Sequence, residues 1–122
     1  MRIIIAGAGQ VGVGLAKYLR AEKHDIVLID QEAEKLGNLS EQLDIQTVVG
    51  SAALPSVLEK AGAGEADIFL AVTGSDEINI VGCGLAYTLF KIPQRIVRLT
   101  KHEYLLHKYK DYLKKILERI LL

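Results

Sequence analysis

The sequence predicts an α/β fold: a doubly wound parallel sheet of strand order 3-2-1-4-5, followed by a C-terminal amphipathic helix. Two observations carry this expectation. Short apolar runs rich in β-branched residues alternate with segments whose apolar residues recur every three or four positions, the pattern of βαβ units with right-handed crossovers. The first apolar run ends in Gly7-Ala-Gly9-Gln-Val-Gly12, a GxGxxG that opens the next periodic segment.

Each element follows from its residues. Residues 2–6, RIIIA, form an apolar run suited to a strand buried on both faces. Val11, Leu15 and Leu19 then make the stripe of a first helix. Residues 26–30, IVLID, read as the second strand, and Leu36, Leu39 and Leu43 as the stripe of a second helix. Residues 45–49, IQTVV, are the third strand, stopped by Gly50. Pro55 starts a short helix through Val57, Leu58 and Ala61, which Gly62 and Gly64 end. Residues 67–72, DIFLAV, are the fourth strand, with Ile78, Val81, Leu85 and Leu89 as the stripe of the helix after it. Pro93 separates that helix from residues 95–99, RIVRL, a less apolar fifth strand suited to an edge. From Glu103 the chain reads as one helix, with Leu106, Tyr109, Leu113, Ile116 and Ile120 as a narrow seam flanked by lysines and arginines. That helix packs back on its own sheet or crosses to a second copy. Leucines running to Leu122 favour the second reading, and a cut from a longer protein is a third. The expected organisation is a nucleotide-binding domain over residues 1–102 and a helix over 103–122, a candidate dimer contact.

Composition narrows the class. At 122 residues, 50% hydrophobic and 25% charged, the chain suits one soluble domain and leaves no room for a second. Cys83 is alone, which excludes an internal disulfide, and no Cys/His cluster has metal spacing, so a reducing cytoplasm without zinc is expected. No run reaches the roughly 18 apolar residues of a membrane span, and MRIIIAGAG is too short and Gly-rich for a signal peptide. The formal net charge of zero gives no support to a nucleic-acid partner. It conceals an asymmetry. Residues 1–90 carry 6 Lys/Arg against 12 Asp/Glu and residues 91–122 carry 9 against 3, as for a solvated basic helix complementing an acidic body.

The glycine motif assigns separate tasks: Gly7 permits a tight turn, Gly9 admits a pyrophosphate to bare backbone, and Gly12 lets helix and strand pack closely. The free N–H groups and dipole of that helix start then hold phosphate. The motif alone is unspecific; its place between strand and helix gives it weight. Asp30 ends the second strand 18 residues beyond Gly12, near the spacing at which a carboxylate meets the adenosine ribose. Gln31 and Glu32 follow it with no arginine, which favours NAD or an adenine nucleotide over NADP. Asp30 also reads as an N-cap, and the two roles can coexist. Ligands in such sheets sit at the strand carboxyl ends, so Gly50 and Ser51 are expected beside the adenine and Thr73 and Gly74 beside the far half of the ligand. Ser75 or Asp76 reads first as the cap of the following helix. His24, His102 and His107 read as surface residues and Cys83 as core, so no acid/base constellation emerges.

These residues resemble the N-terminal (RCK or KTN) domain family of bacterial TrkA potassium uptake subunits, a Rossmann-like family. The likeness spans about residues 1 to 106 and rests on MRIIIAGAGQVGVGLAKYL, on Val27-Leu-Ile-Asp30, on the block from VVGSAALPSVLEK through AGAGEADIFLAVTGSDEINIVGCGLA, and on Arg95-Ile-Val-Arg98 with His102-Glu103-Tyr104. The resemblance implies a regulatory subunit, not an enzyme, that binds NAD(H), with ATP or ADP as the alternative. It implies homodimers or higher homo-oligomers that gate a membrane potassium transporter, and a cytoplasmic place at the inner face of the membrane through that partner alone. By position it implies Gly7, Gly9, Gln10, Val11 and Gly12 at the phosphates, Asp30 at the ribose, Ser51 near the adenine, Thr73 near the middle of the ligand, and Arg98 as a phosphate or dimer contact. The chain departs from the family at Ser51, where Asp is usual, and at Gln10, where relatives that bind ATP across a dimer carry Arg; the second departure argues for NAD(H). The family's C-terminal ligand-binding domain is missing, which implies a lone domain or a fragment. The rival from another class is the cofactor domain of an NAD-dependent dehydrogenase.

Overall fold

In the computed structural model, which describes residues 1–117, a five-stranded parallel sheet has the order β3-β2-β1-β4-β5. Strand β1 (Arg2–Ala6) lies at its centre between β2 (Asp25–Asp30) and β4 (Ile68–Ala71), with β3 (Gln46–Val49) and β5 (Gln94–Val97) as edges. Side chains alternate across the sheet. Ile3 and Ile5 pack with Ile26, Leu28 and Leu70 on one face, while Ile4 and Ala6 pack with Val27, Ile29, Phe69 and Ala71 on the other. The three isoleucines of β1 are at most 1% exposed, and each contributes roughly 1.5–3 kcal/mol of burial.

Helices α1 (Gln10–Ala21), α2 (Ala33–Leu36) and α3 (Leu39–Leu43) cover the first face, and α4 (Pro55–Lys60), α5 (Asp76–Thr88) and α6 (His107–Leu117) the second. The single helix expected around Leu36 and Leu43 is two, because Gly37 takes a positive φ of 41° between them. Two apolar stripes hold in part: Leu15 and Leu19 of α1, and Ile78 and Leu85 of α5, pack against the core as expected, but smaller residues take the most buried positions. In α1 the buried residues are Gly12 and Ala16, while Val11 is 45% exposed. In α5 the buried residues are Asp76, Asn79, Gly82, Cys83 and Ala86, while Val81 and Leu89 face outward. Small residues win the inner face because the helices lie close to what they cover: a Cβ on Gly82 would stand 3.4 Å from the Phe69 ring of β4 and 3.0 Å from the Ala52 carbonyl oxygen in the loop after β3.

Cys83 is core, as expected, but a cation stands near it. Burial pushes the thiol up to about 12, with the charge of Arg95 opposing. Arg95 is itself buried in β5, stacked 4.4 Å over the Tyr87 ring and donating to the Ile92 and Pro93 carbonyls. The tail differs from one continuous helix. A 3-10 turn over His102–Leu105 precedes an extended Leu106, and α6 starts afterwards. Leu113 is buried in the core of its own domain, and Tyr109 is 40% exposed. The Ile116 side chain, Ile120 and Leu122 lie outside the described residues. No helix among the described residues is long and apolar enough to cross a membrane.

Candidate functional site

At the carboxyl ends of the strands lies a cavity of about 500 Å³, within the roughly 300–1,000 Å³ range of small-molecule sites. Its first wall is the loop from β1 to α1. Gly7 has φ +115° there, and a Cβ on it would stand 2.8 Å from the Val72 carbonyl oxygen, so the turn needs glycine for both conformation and space. A Cβ on Gly12 would stand 1.7 Å from the Gly7 carbonyl oxygen, so Gly12 sits behind the loop and outside the cavity wall. A Cβ on Gly9 would meet nothing within 4 Å, and Gly9, Gln10 and Val11 all line the cavity. Val13 N–H to the Gly9 carbonyl at 3.0 Å is the first bond of α1, so the N–H groups of residues 10–12 have no partner within the helix.

The second wall is the end of β2. Asp30 Oδ2 accepts the Ala8 N–H at 2.8 Å and Oδ1 accepts the Glu32 N–H at 2.8 Å, which ties the glycine loop to the loop after β2. Its bond to Glu32 is an Asx turn rather than a helix cap, since the residue flanking α2 is Glu32. Gln31, Glu32 and Lys35 continue the rim, with Lys35 Nζ 3.6 Å from Glu32. After β3, Gly50 lines the cavity and its N–H donates to the Asp30 carbonyl at 2.9 Å. Ser51 is not in the wall: its hydroxyl accepts the Ala53 N–H at 3.1 Å, and Ala52 takes the place beside the cavity.

The third wall comes from the loops after β4 and β5, which supply Thr73, Gly74, Ser75 and Arg98. The described ion pairs are Arg20–Asp44, Lys35–Glu32 and Lys101–Glu77, and Arg98 belongs to none of them. Ser75 caps α5 by accepting the Ile78 N–H at 3.2 Å. Asp76 is therefore not the cap. Its buried carboxylate accepts from the Thr100 N–H and hydroxyl and from the Lys101 N–H at 2.6–3.0 Å. Burial pushes its pKa up, but the bonds from Thr100 and Lys101 and the Lys101 charge outweigh it and hold the carboxyl below its ordinary value. Asn79, one turn on, bonds to both Thr73 and Arg98.

The cavity thus brings together Gly7, Gly9, Gln10, Val11, Asp30, Gln31, Gly50, Thr73, Gly74 and Arg98, and leaves out Gly12 and Ser51. His24 lies at the opposite end of the strands, its Nδ1 3.1 Å from the Met1 amine. Lys35 and Asn79 were missed, and Asp76 was read only as a cap. The available signal was two polar residues three apart, Asp76 and Asn79, at the head of a helix whose next seven residues, Ile80 to Ala86, are apolar or glycine.

A model of the TrkA-N domain matches residues 3–120. The chain is 52% identical over 110 residues to the Trk system potassium uptake protein TrkA of Haemophilus influenzae, covering 90% of this chain and 24% of that protein. The chain spans about a quarter of the length of such relatives. Among solved structures, the TrkA-N domain of the inner membrane protein YbaL from Escherichia coli superposes with a TM-score of 0.83 at 17% identity, covering 99% of this chain and 85% of that one. The GsuK channel bound to NAD superposes with a TM-score of 0.69 at 25% identity, over 88% of this chain and 20% of the channel.

Proposed function

This chain belongs to the TrkA-N domain family, and from that membership we propose that it is the nucleotide-sensing part of a longer regulatory subunit acting on a membrane potassium uptake system. NAD(H) is the ligand assigned to the cavity, with ATP or ADP as the alternative. One observation carries the reading: Gln10 and Val11, whose N–H groups have no partner within α1, line a cavity whose other wall is a strand-end carboxylate. The helix start suits a diphosphate, Asp30 suits the ribose hydroxyls, and Arg98 suits a second anionic group. The likeness to a channel that binds NAD supports the same assignment.

On this reading residues 1–102 bind nucleotide and the segment from residue 103 contributes to contact with a second copy. The assembly works at the cytoplasmic face of the membrane through its transporter partner. Relatives named for potassium uptake support a regulatory role over a catalytic one. A ligand can shift such an assembly only by its differential affinity for two arrangements.

Calorimetric titration of the purified chain with NADH, NAD, ATP and ADP tests the reading. Micromolar-range binding of at least one is expected. Asp30→Ala should weaken it roughly 10- to 100-fold, the equivalent of a charged hydrogen bond of about 1.5–3 kcal/mol. Equal affinity in both proteins would remove Asp30 from the site.

A further inference from the structure

Asn79 is 1% exposed and stands behind the cavity, outside its wall. Its carboxamide is fully used. Oδ1 accepts the Thr73 N–H at 3.0 Å and the Thr73 hydroxyl at 2.6 Å, while Nδ2 donates to the Thr73 carbonyl at 3.2 Å and the Arg98 carbonyl at 2.8 Å. Only one orientation of the amide works, because the reverse would aim its N–H groups at the Thr73 N–H and its oxygen at two carbonyls. The Thr73 hydroxyl, spending its proton on Asn79, in turn accepts the Ser75 N–H at 3.2 Å. Two segments, the loop entering α5 and the one leaving β5, are thereby fastened to one side chain.

We propose that Asn79 is a positioning residue that fastens Thr73 to Arg98, so that the third wall of the cavity moves as one body with the segment leaving β5. Asp76, one turn earlier on the same buried face, extends the fastening to Thr100 and Lys101, immediately before the 3-10 turn at His102. This inference rests on the nucleotide reading above and adds a route out of the site. A ligand gripping Thr73 and Arg98 acts on residues 98–101 through hydrogen bonds rather than through loose chain. By reciprocity, whatever displaces residues 98–101 alters the affinity of the cavity.

The test pairs calorimetry with hydrogen exchange at residues 98–105, using NADH and ATP as probes. Three variants are compared: Asn79→Ala; Asn79→Asp, which keeps shape and acceptors but turns a carboxylate on two carbonyls; and Leu58→Ala, a buried change on α4 away from both loops. In the wild type, bound nucleotide should slow exchange at residues 98–101. Either Asn79 variant should lose roughly tenfold or more in affinity together with that protection. Leu58→Ala should lower Tm yet keep both. Should Asn79→Ala fail to fold, Asn79→Asp carries the comparison. Wild-type binding matched by Asn79→Asp, with protection intact, overturns the positioning role alone. Absence of binding by the wild type overturns the nucleotide reading beneath it.

Discussion

A single methyl group separates the tasks of Gly9 and Gly12. On Gly12 it would stand 1.7 Å from the Gly7 carbonyl oxygen, so Gly12→Ala forces α1 and the glycine loop apart and should cost about 3 kcal/mol or more. On Gly9 it would enter open cavity. Gly9→Ala should therefore leave thermal unfolding almost unchanged while weakening nucleotide binding, and a fall in Tm equal to that of Gly12→Ala would contradict this division. The division was legible in the motif, since spacing alone separates a glycine of the turn, one beside open space and one packed tightly. The Asn79 bonds were not, because they join residues 6 and 19 positions apart whose proximity depends on the finished sheet. Ser51 shows the same limit: whether Ser51 or Ala52 lines the cavity depends on which way one loop residue turns.

At the scale of elements, α5 is anchored by charge at its first turn. The Asp76 carboxyl lies below its ordinary value of 3.8, so its contribution to stability is complete above that pH and is lost as pH falls through the lower folded value. Denaturation followed by circular dichroism should show a steep acid limb beginning near pH 4. Asp76→Asn should flatten that limb and lower stability at pH 7 by about 2–3 kcal/mol, since two buried N–H groups lose a charged acceptor. An unchanged acid limb would assign it to other carboxylates. The strands were legible because β-branched runs bounded by glycine admit few alternatives. The inner faces of α1 and α5 were legible only in part, through Leu15, Leu19, Ile78 and Leu85. Periodicity places large apolar residues inward, whereas close packing on a parallel sheet selects Gly12, Ala16, Gly82, Cys83 and Ala86. The break at Gly37 escaped notice because leucines on either side kept a helical spacing.

For the whole molecule, the strand order and the clustering of most expected residues around one cavity followed from the βαβ alternation, which forces every parallel strand to end on the same side. Assembly is a property that one chain does not display. Light scattering should report a dimer at micromolar concentration, and a monomer at high concentration would contradict the proposed contact from residue 103. The chain's one thiol offers a way to follow such events from inside. Cys83 reacts as a thiolate, and a group with pKa near 12 and no solvent access is inert to alkylation while the domain stays shut. Its labelling rate is therefore a clock for the breathing of the sheet and helix around it, one that any stabilising ligand must slow.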